Sequence, residues 1–265
     1  MPPTPLYRPE NMDSPAYHLR YTWTGWPSAS SFPKEPSTPF FETLAQAWEA
    51  DGIRFLEKRW LSHQIQLTCS VKPTVSPIRF TGCVKGRLEH ALRKAGMPVA
   101  FSRKVAFRSV GRNKREHVET YVASQVTNAQ FVDPRFAELI AKYTGVNTYV
   151  HLQEPTATNR GRYWYDLHLV LVTDQRQRNV DDASLKLFHD TCDMVARKKE
   201  YSIASRSVMP DHLHLALRGN VEDSPEKIAL SFMNNIAFAF GQQGIFRPSY
   251  YVGTFGEYDM GAVRH

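Results

Sequence analysis

Two histidines of this sequence have types and spacing that could do chemistry. His212 and His214 stand in the segment MPDHLHLAL, residues 209–217. Side chains on a β-strand alternate between its two faces, so both imidazoles would project from one face and the leucines between them from the other. Two imidazoles placed in this way could share a divalent metal ion. A pair of exposed strand histidines without a ligand role is the alternative interpretation.

Tyr121 and Gln125 form a second candidate pair, in a segment that the sequence predicts to be helical from about Asn113. Residues four apart on a helix lie on the same face. The phenol could then act as a nucleophile and the amide oxygen as a neutral metal ligand. Packing is the usual role of a tyrosine on such a helix, and what favours chemistry here is a run of basic residues that leads into it: Arg108, Arg112, Lys114 and Arg115.

The elements that must position these side chains are indicated by an internal repeat. One group of matching residues lies 148 positions apart: Tyr17/Tyr165, Leu19/Leu167, Ile65/Leu213, Leu67/Leu215, Ser76-Pro77/Ser224-Pro225 and Gly96/Gly244. A second group lies 145 apart: Phe101/Phe246, Gly111/Gly256 and Val118/Val263. The change of offset predicts a loop that is three residues shorter in the second half.

Each half shows the predicted element order β-α-β-β-α-β, which is typical of the ferredoxin-like arrangement. The sequence therefore predicts the α+β class, with two tandem ferredoxin-like domains. Their antiparallel sheets would carry helices on one face, and the two domains would be related as a pseudo-twofold dimer. The predicted boundaries are an extended N-terminal tail, a first domain, a connector and a second domain, at 1–15, 16–130, 131–161 and 162–265.

The charge of the chain, +7 at pH 7, is concentrated in its first half. Between Arg79 and Arg115 there are eleven Lys or Arg residues and one acidic residue, Glu89. Such a segment is typical of binding to the phosphate backbone of nucleic acids, although a solvated helix face with a basic loop is the alternative. The N-terminus lacks a secretory signal pattern, and no stretch has the ~20 apolar residues of a membrane helix. We therefore expect a cytoplasmic, DNA-associated protein without a membrane partner.

The segment MPDHLHLAL resembles the HUH motif (His, hydrophobic residue, His) of the single-tyrosine HUH transposases, particularly the REP-associated and IS200-like branch. The segment from Tyr121 to Gln125 resembles the nucleophile helix of the same family. The resemblance covers roughly 16–130 and 162–265. It implies cleavage of single-stranded DNA with a divalent metal ion, leaving a 5′-phosphotyrosine and a free 3′-hydroxyl. It also implies that each active site joins the HUH motif of one protomer to the tyrosine helix of the other.

The sequence departs from this family pattern in two places. Gln64 and Gln66 stand where the first half should carry its two histidines. The 145-residue offset would place the second copy of Tyr121 just beyond His265. We therefore expect one complete site, with degenerate metal positions in the first half, in a monomer that acts as an intramolecular pseudo-dimer.

The expected site takes its residues from both halves. Tyr121 would be the nucleophile, and one Mg²⁺ or Mn²⁺ ion would be held by three ligands, His212, His214 and Gln125. His168 and Asp211 are candidate partners of these ligands, with packing as the alternative for His168. Single-stranded or hairpin DNA would be held mainly through its phosphates. The predicted contacts are Arg87, Arg93, Lys94, Arg103, Lys104, Arg108, Arg112 and Arg115.

Three other interpretations remain open. The protein could be a DNA-binding or regulatory protein that descends from such a transposase and has no turnover, which the loss of one site favours. It could be a metal-dependent nuclease that uses water, with a structural Tyr121. It could also keep the nicking chemistry with a different nucleophile, Tyr250, Tyr251 or Tyr258.

Overall fold

The computed structural model of the chain describes residues 4–28, 31–129, 131, 134–174, 181–241 and 244–256. Within these residues the chain forms two six-stranded β-sheets and seven α-helices, which confirms the predicted α+β class. In the same described part, no helix is both long enough and apolar enough to cross a membrane.

The first half contributes a short strand followed by a β-α-β-β-α-β unit. The elements are β1 (Ala16–His18), β2 (Arg20–Pro27), α1 (Thr38–Ala50), β3 (Ile53–Trp60), β4 (Ile65–Val71), α2 (Pro77–Lys94) and β5 (Phe101–Val110). The four strands of the unit lie in the order β3-β4-β2-β5, and neighbouring strands are antiparallel. This is the ferredoxin-like order, in which each helix crosses over one intervening strand.

The segment between the halves is folded and contributes to both sheets. Its elements are α3 (Arg115–Ala123), α4 (Gln125–Asn128), α5 (Pro134–Ala141), β6 (Thr144–Val146) and β7 (Thr156–Thr158). Strand β6 pairs with the second sheet and β7 with the first. The predicted connector therefore supplies edge strands to both units.

The second half repeats the organisation of the first. Its elements are β8 (Gly161–Trp164), β9 (Asp166–Val172), α6 (Asp182–Lys199), β10 (Ser202–Val208), β11 (His212–Arg218), α7 (Pro225–Ala239) and β12 (Tyr251–Thr254). Its unit has the strand order β12-β9-β11-β10, again antiparallel. The two halves thus have the same topology.

Each half also lends a strand to the sheet of the other. Strand β1 pairs in parallel with β12, and β8 pairs in parallel with β5. Behind the sheets, one cluster of buried apolar residues runs through both halves. Tyr21 and Tyr165 meet in it edge to face, with 6.1 Å between ring centroids. The shared core and the exchanged strands tie the two units into one folded body.

The second helix of each unit begins in the same way. Ser76 precedes α2 and accepts a hydrogen bond from the backbone N–H of Arg79 at 3.3 Å. Ser224 precedes α7 and accepts one from the backbone N–H of Lys227 at 3.2 Å. A serine in this position satisfies one of the N–H groups that a helix leaves unpaired at its start. These caps place α2 and α7 at equivalent positions, 148 residues apart.

The ends of these two helices show why the offset of the repeat changes from 148 to 145 residues. Helix α2 has 18 residues and α7 has 15. Gly96 and Gly241 follow them with φ values of 72° and 79°, a conformation that glycine adopts without steric cost. Gly96 therefore corresponds to Gly241 rather than Gly244. The prediction of a shorter loop is wrong, because the three missing residues belong to the helix.

The first strands of the two units are also offset differently from the prediction. The backbone N–H of Val71 donates to the carbonyl of Leu19 at 3.1 Å, and that of Gly219, 148 residues later, donates to the carbonyl of Tyr165 at 3.0 Å. Leu19 thus corresponds to Tyr165, 146 positions later. Tyr17 is accordingly exposed while Tyr165 is fully buried. The predicted offset of 148 is wrong for this strand by two residues.

The N-terminal segment, predicted as an extended tail, is docked on the second half. The side chain of Asn234 on α7 accepts from the N–H of Tyr7 and donates to its carbonyl, both at 2.8 Å. The Tyr7 hydroxyl donates to the carbonyl of Phe246 at 2.9 Å, and Tyr7 is buried. The segment from residue 4 to 15 therefore covers part of the second unit.

Candidate active site

The helix that carries Tyr121 comes from the first half but packs on the sheet of the second. Helix α3 lies against β10, β11 and β6. Its residues Val118 and Val122 are buried in a small apolar cluster with Ala216 of β11. Strand alternation places Ala216 on the face that also carries His212 and His214, opposite the leucines of the main core. The tyrosine helix therefore covers the histidine face of the second sheet.

Tyr121 lies beside two imidazoles. Its ring centroid is 5.8 Å from that of His214 and 5.9 Å from that of His168, with the rings nearly perpendicular. These three side chains line one cavity of about 540 Å³, together with Asn113, His117, Val118, Val170 and Tyr251. Tyr121 is 48% exposed, so its hydroxyl is accessible to a large ligand. The structure thus brings the predicted nucleophile beside one of the two predicted ligands, His214, whereas His212 is not among the described residues that line the cavity.

Both imidazoles of the His-x-His segment are held through Nδ1. His212 Nδ1 lies 2.6 Å from a carboxylate oxygen of Asp211, and His214 Nδ1 lies 3.0 Å from Nε2 of His168. A neutral imidazole that donates from Nδ1 keeps a lone pair on Nε2. Metal-binding histidines usually donate their other ring N–H to such a partner, which fixes the ring and raises its basicity. His168 and Asp211 are thus positioned to orient the two candidate ligands.

The buried imidazoles are neutral at physiological pH. Burial lowers the pKa of His214 to about 3, and the neighbouring His168 and His212 lower it further in the same direction. Burial also lowers the pKa of His168 to about 4. Since a metal ion binds the deprotonated ring, the shift of the His214 pKa favours metal binding over protonation.

This donor set fits a divalent metal ion as a pair of nitrogen ligands. The rings of His212 and His214 are 4.9 Å apart between centroids. Among the described residues, no group of three or more His, Cys, Asp and Glu side chains is placed to hold a metal ion. An amide, water or the phosphate of a substrate would have to supply the remaining ligands.

Gln125 is placed differently from the prediction. Helix α3 ends at Ala123, and the short α4 begins at Gln125, so one continuous helix does not carry both residues of the pair. The Gln125 side-chain N–H donates to the backbone carbonyl of Tyr121 at 2.9 Å. Gln125 is not among the described residues that line the cavity. Its role as a metal ligand stays a prediction.

A buried carboxylate of the second half holds the start of the tyrosine helix. Arg115, the first residue of α3, donates to one oxygen of Asp166 from Nε at 3.2 Å and from Nη2 at 3.0 Å. Arg218 Nε lies 3.9 Å from the other oxygen. Burial raises the pKa of the fully buried Asp166 to about 6, against the opposing effect of both arginines. No role was predicted for Asp166 from the sequence, although an acid in the apolar strand YDLHLVLV is a detectable signal.

The equivalent surface of the first half carries different side chains. Gln64 and Gln66 occupy the positions of the two histidines, and Gln66 is buried. Arg20 occupies the position of Asp166, by the 146-residue correspondence of the first strands. The segment after Gly256, which would correspond to α3 and contains Val263, lies outside the described residues.

Six of the eight basic residues predicted to contact DNA are exposed: Arg87, Arg93, Lys94, Arg103, Lys104 and Arg112. Arg87 pairs with Asp51, and the guanidinium of Arg108 lies 4.0 Å from the ring centre of Trp164. The guanidinium of Arg115 is engaged with Asp166, and its side chain is 11% exposed. DNA contact by all eight residues stays a prediction.

The alternative nucleophiles differ in their surroundings. Tyr251 lines the same cavity as Tyr121, with its ring centroid 5.9 Å from that of His168, and burial raises its pKa. Tyr250 is buried in the core, where burial raises its pKa well above the usual range. Tyr258 lies outside the described residues. Tyr251 is therefore the alternative that must be tested beside Tyr121.

Comparison with known proteins finds a family match in the second half. Residues 162–265 match the model of the family described as IS200-like transposases. No curated protein matches the chain. A candidate transposase from Deinococcus radiodurans R1 is 23% identical, covering 35% of this chain and 79% of that one, with a TM-score of 0.31. A bacterial light-regulated adenylyl cyclase is 8% identical over 84% of this chain and 65% of that one, with a TM-score of 0.20. Neither structural likeness is strong enough to support a conclusion.

Proposed function

Because residues 162–265 match the model of the family of IS200-like transposases, we propose that this protein cuts and rejoins single-stranded DNA through a covalent link to Tyr121. The observation that carries the proposal is the position of this tyrosine. Its ring lies 5.8 Å from that of His214, although the tyrosine helix and the histidine strand come from different halves of the chain. One composite site therefore suffices for the reaction, and it lies within a monomer.

The proposed reaction exchanges one phosphodiester for another. The hydroxyl oxygen of Tyr121 attacks the phosphorus in line with the 3′-oxygen of the preceding nucleotide. The new oxygen–phosphorus bond forms as the bond to the 3′-oxygen breaks, which gives a 5′-phosphotyrosine and a free 3′-hydroxyl. The phenolic proton leaves to water, which reaches this half-exposed side chain, and a proton returns to the 3′-oxygen. Attack by another 3′-hydroxyl reverses the step and joins strands without ATP.

The other residues of the site bind and orient. His212 and His214, held through Nδ1 by Asp211 and His168, would hold a divalent ion through Nε2. When bound there, Mg²⁺ or Mn²⁺ would polarise a non-bridging oxygen of the scissile phosphate. Asp166 fixes the start of α3 and thus the position of Tyr121. Such positioning matters for the reaction, because misplacement of the reacting atoms by about 1 Å can lower the rate ~10²-fold.

A covalent adduct assay tests the proposal. The protein is incubated with Mn²⁺ and a 5′-labelled and a 3′-labelled version of single-stranded hairpin DNA, and products are separated under denaturing conditions. We expect the label on the 3′ side of the cut to migrate with the protein. Tyr121→Phe should abolish the adduct while DNA binding survives.

Two tyrosine variants serve as matched controls. Tyr149→Phe changes a side chain that is 92% exposed and outside the cavity, and it should leave adduct formation unchanged. Tyr251→Phe removes the other hydroxyl of the cavity. If the adduct persists in Tyr121→Phe and disappears in Tyr251→Phe, the nucleophile is Tyr251 and the proposed assignment is wrong. Cleavage without any adduct would indicate a nuclease that uses water.

A DNA-binding protein without turnover is the second candidate function. It is favoured by the metal site, since the described residues offer two imidazoles but no third His, Cys, Asp or Glu ligand. This candidate predicts that the protein binds hairpin DNA with equal affinity with and without Mn²⁺, and that no cut product accumulates. The adduct assay therefore separates the two functions.

A further inference from the structure

A second cavity lies on the helix side of the first sheet, away from the histidines. It has a volume of about 430 Å³ and lies between α2, β5 and the turn that joins β7 to β8. Three cations line it, Lys85 from α2, Arg103 from β5 and Arg160 from the turn. The described residues that line this cavity include no carboxylate. We call it the cationic groove.

The backbone around the groove holds Arg160 in place. Its N–H donates to the hydroxyl of Thr158 at 3.1 Å, and its carbonyl accepts from the N–H of Val105 at 3.0 Å. The next residue, Gly161, has a φ of 153° and approaches β5 so closely that a Cβ would lie 2.0 Å from the carbonyl oxygen of Val105. The turn thus requires glycine there, and it fixes Arg160 beside the strand that carries Arg103.

The floor of the groove combines two hydroxyl groups with an open helix surface. Thr81 Oγ1 and the Tyr163 hydroxyl lie 3.4 Å apart, and Lys85 Nζ donates to the carbonyl of Ser102 at 2.7 Å. Gly82 lies inside α2, and a Cβ built there meets no atom within 4 Å. Glycine inside a helix is destabilising relative to alanine, and no close packing requires it at this position. Its effect is to leave room between the cations.

The equivalent place in the second half is filled. The serine caps align Gly82 with Leu230 and Lys85 with Met233, and both of these side chains are buried. The N-terminal segment lies beside them, since Tyr7 is bonded to Asn234 on α7. The same region is therefore apolar and covered in one half but cationic and open in the other.

We propose that the cationic groove binds a backbone phosphate of the DNA substrate. Arginine and lysine side chains provide most contacts to DNA phosphates, and hydroxyl groups add to them. The groove offers both around a space that the opposite half has closed. The inference rests on the proposed function, because that function supplies DNA as the ligand. Of the groove residues, only Arg103 was predicted from the sequence to contact DNA; Lys85 and Arg160 are additions.

Salt-dependent binding tests the groove without requiring cleavage. The Tyr121→Phe protein is titrated with fluorescently labelled single-stranded hairpin DNA, without divalent metal, at several salt concentrations. Loss of this one phosphate contact should lower the magnitude of the slope of log K against log[salt] by about 0.7 in the variant that combines Arg103→Ala with Arg160→Ala. Arg197→Ala, an exposed cation at the end of α6, is the charge control and should change neither slope nor affinity.

A pair of glycine variants tests the space rather than the charge. Gly82→Leu introduces the residue of the second half, which is a better helix former, so the protein should fold while its groove is blocked. Gly86→Leu is the matched control, one turn further along α2 and also without atoms within 4 Å of a built Cβ, but outside the groove. We expect weaker DNA binding for Gly82→Leu and unchanged binding for Gly86→Leu.

Two results would overturn the inference. One is a salt slope that stays at the parent value in the double arginine variant, together with normal DNA binding by Gly82→Leu. The other is competition by inorganic phosphate as effective as that by the oligonucleotide at equal phosphate concentration, which would assign the groove to a free ion. Neither result depends on the adduct assay. If neither the parent protein nor any variant forms the covalent adduct, that result would contradict the proposed function and leave the phosphate-binding groove untouched.

Discussion

The two halves of the molecule have the same topology but differ in chemistry. Each half is a β-α-β-β-α-β unit with the same strand order and the same serine cap on its second helix. The histidine pair and Asp166 belong to the second half, whereas the tyrosine helix follows the first. Gln64, Gln66 and Arg20 stand where the first half would need the same groups. The two halves therefore share a fold but differ in the side chains at the site.

The difference teaches that packing and chemistry are constrained separately here. Strands β1 and β8 each complete the sheet of the other half, and one apolar core serves both. Loss of either unit would expose this core, so both must be retained for stability. The histidine face lies outside the core, so glutamines can replace histidines there without loss of burial. Under the proposed function, one composite site would be enough for DNA cleavage by such a pair of units.

An exchange of the two motifs should have the largest effect. His212→Gln with His214→Gln gives the second half the side chains of the first, and it removes both candidate nitrogen ligands. We expect adduct formation to fall by more than the ~10–100-fold that loss of an outer partner of a metal ligand typically costs. The measurement is the rate of adduct formation at saturating DNA and several Mn²⁺ concentrations.

The reverse exchange is the matched control for this prediction. Gln64→His with Gln66→His restores the motif in the first half, where the described residues place no tyrosine helix on the sheet. We expect no second cut site and no recovery of activity in the variant that lacks His212 and His214. Recovery by the restored motif would show that the first half can form a site of its own.

The charge at Asp166 should have an intermediate effect on stability. Since burial raises the pKa of Asp166 from the ordinary value of ~3.9 to about 6, the folded protein binds this proton more tightly than the unfolded chain. Its stabilising effect is therefore complete below pH ~4 and is lost as the pH rises through about 6. The loss is on the order of a few kcal/mol in the free energy of unfolding, since one pKa unit corresponds to about 1.4 kcal/mol.

Asp166→Asn isolates this contribution because the amide does not titrate. Urea unfolding between pH 4 and 8 should show a free energy that decreases with pH more steeply in the parent protein than in the variant. Asn also removes the charge that holds Arg115, so adduct formation should slow although the histidines are intact. Parallel pH profiles for the two proteins would contradict the buried titration. An Arg20→Gln variant of the first half should retain the parent pH profile.

The sequence contains enough information for the β-α-β-β-α-β order of the two units. Alternation of apolar residues predicts the strands, and the spacing of His212 and His214 predicts their common face. The offset of the first strand is missed because strand alternation has a period of two, so a slip of two residues leaves every side chain on its face. The exchanged strands β1 and β8 are missed because each is continuous in sequence with a strand of its own half.

The role of Asp166 could not be predicted for a different reason. Its partner Arg115 lies in the other half of the chain, and a local pattern does not reveal contacts between distant segments. Arg115 stands in a basic run, and its charge is therefore explained equally well by DNA. The burial of the Arg115 side chain against Asp166 is what indicates the structural role, and this burial can be seen only in the folded protein. The position of Gln125 could not be predicted either. Its spacing of four residues from Tyr121 predicts one continuous helix, whereas in the structure the helix is interrupted at Ser124.

Removal of the serine caps should have the smallest effect on stability, and the effect should be the same in both halves. Ser76→Ala and Ser224→Ala each leave a helix N–H without its side-chain partner, which typically costs about 1 kcal/mol. Because one core serves both units, each variant should lower the midpoint of a single unfolding transition, rather than create a second one. Urea unfolding followed by tryptophan fluorescence and by circular dichroism measures this. Two separate transitions, with each variant shifting one of them, would show that the units unfold independently despite their exchanged strands.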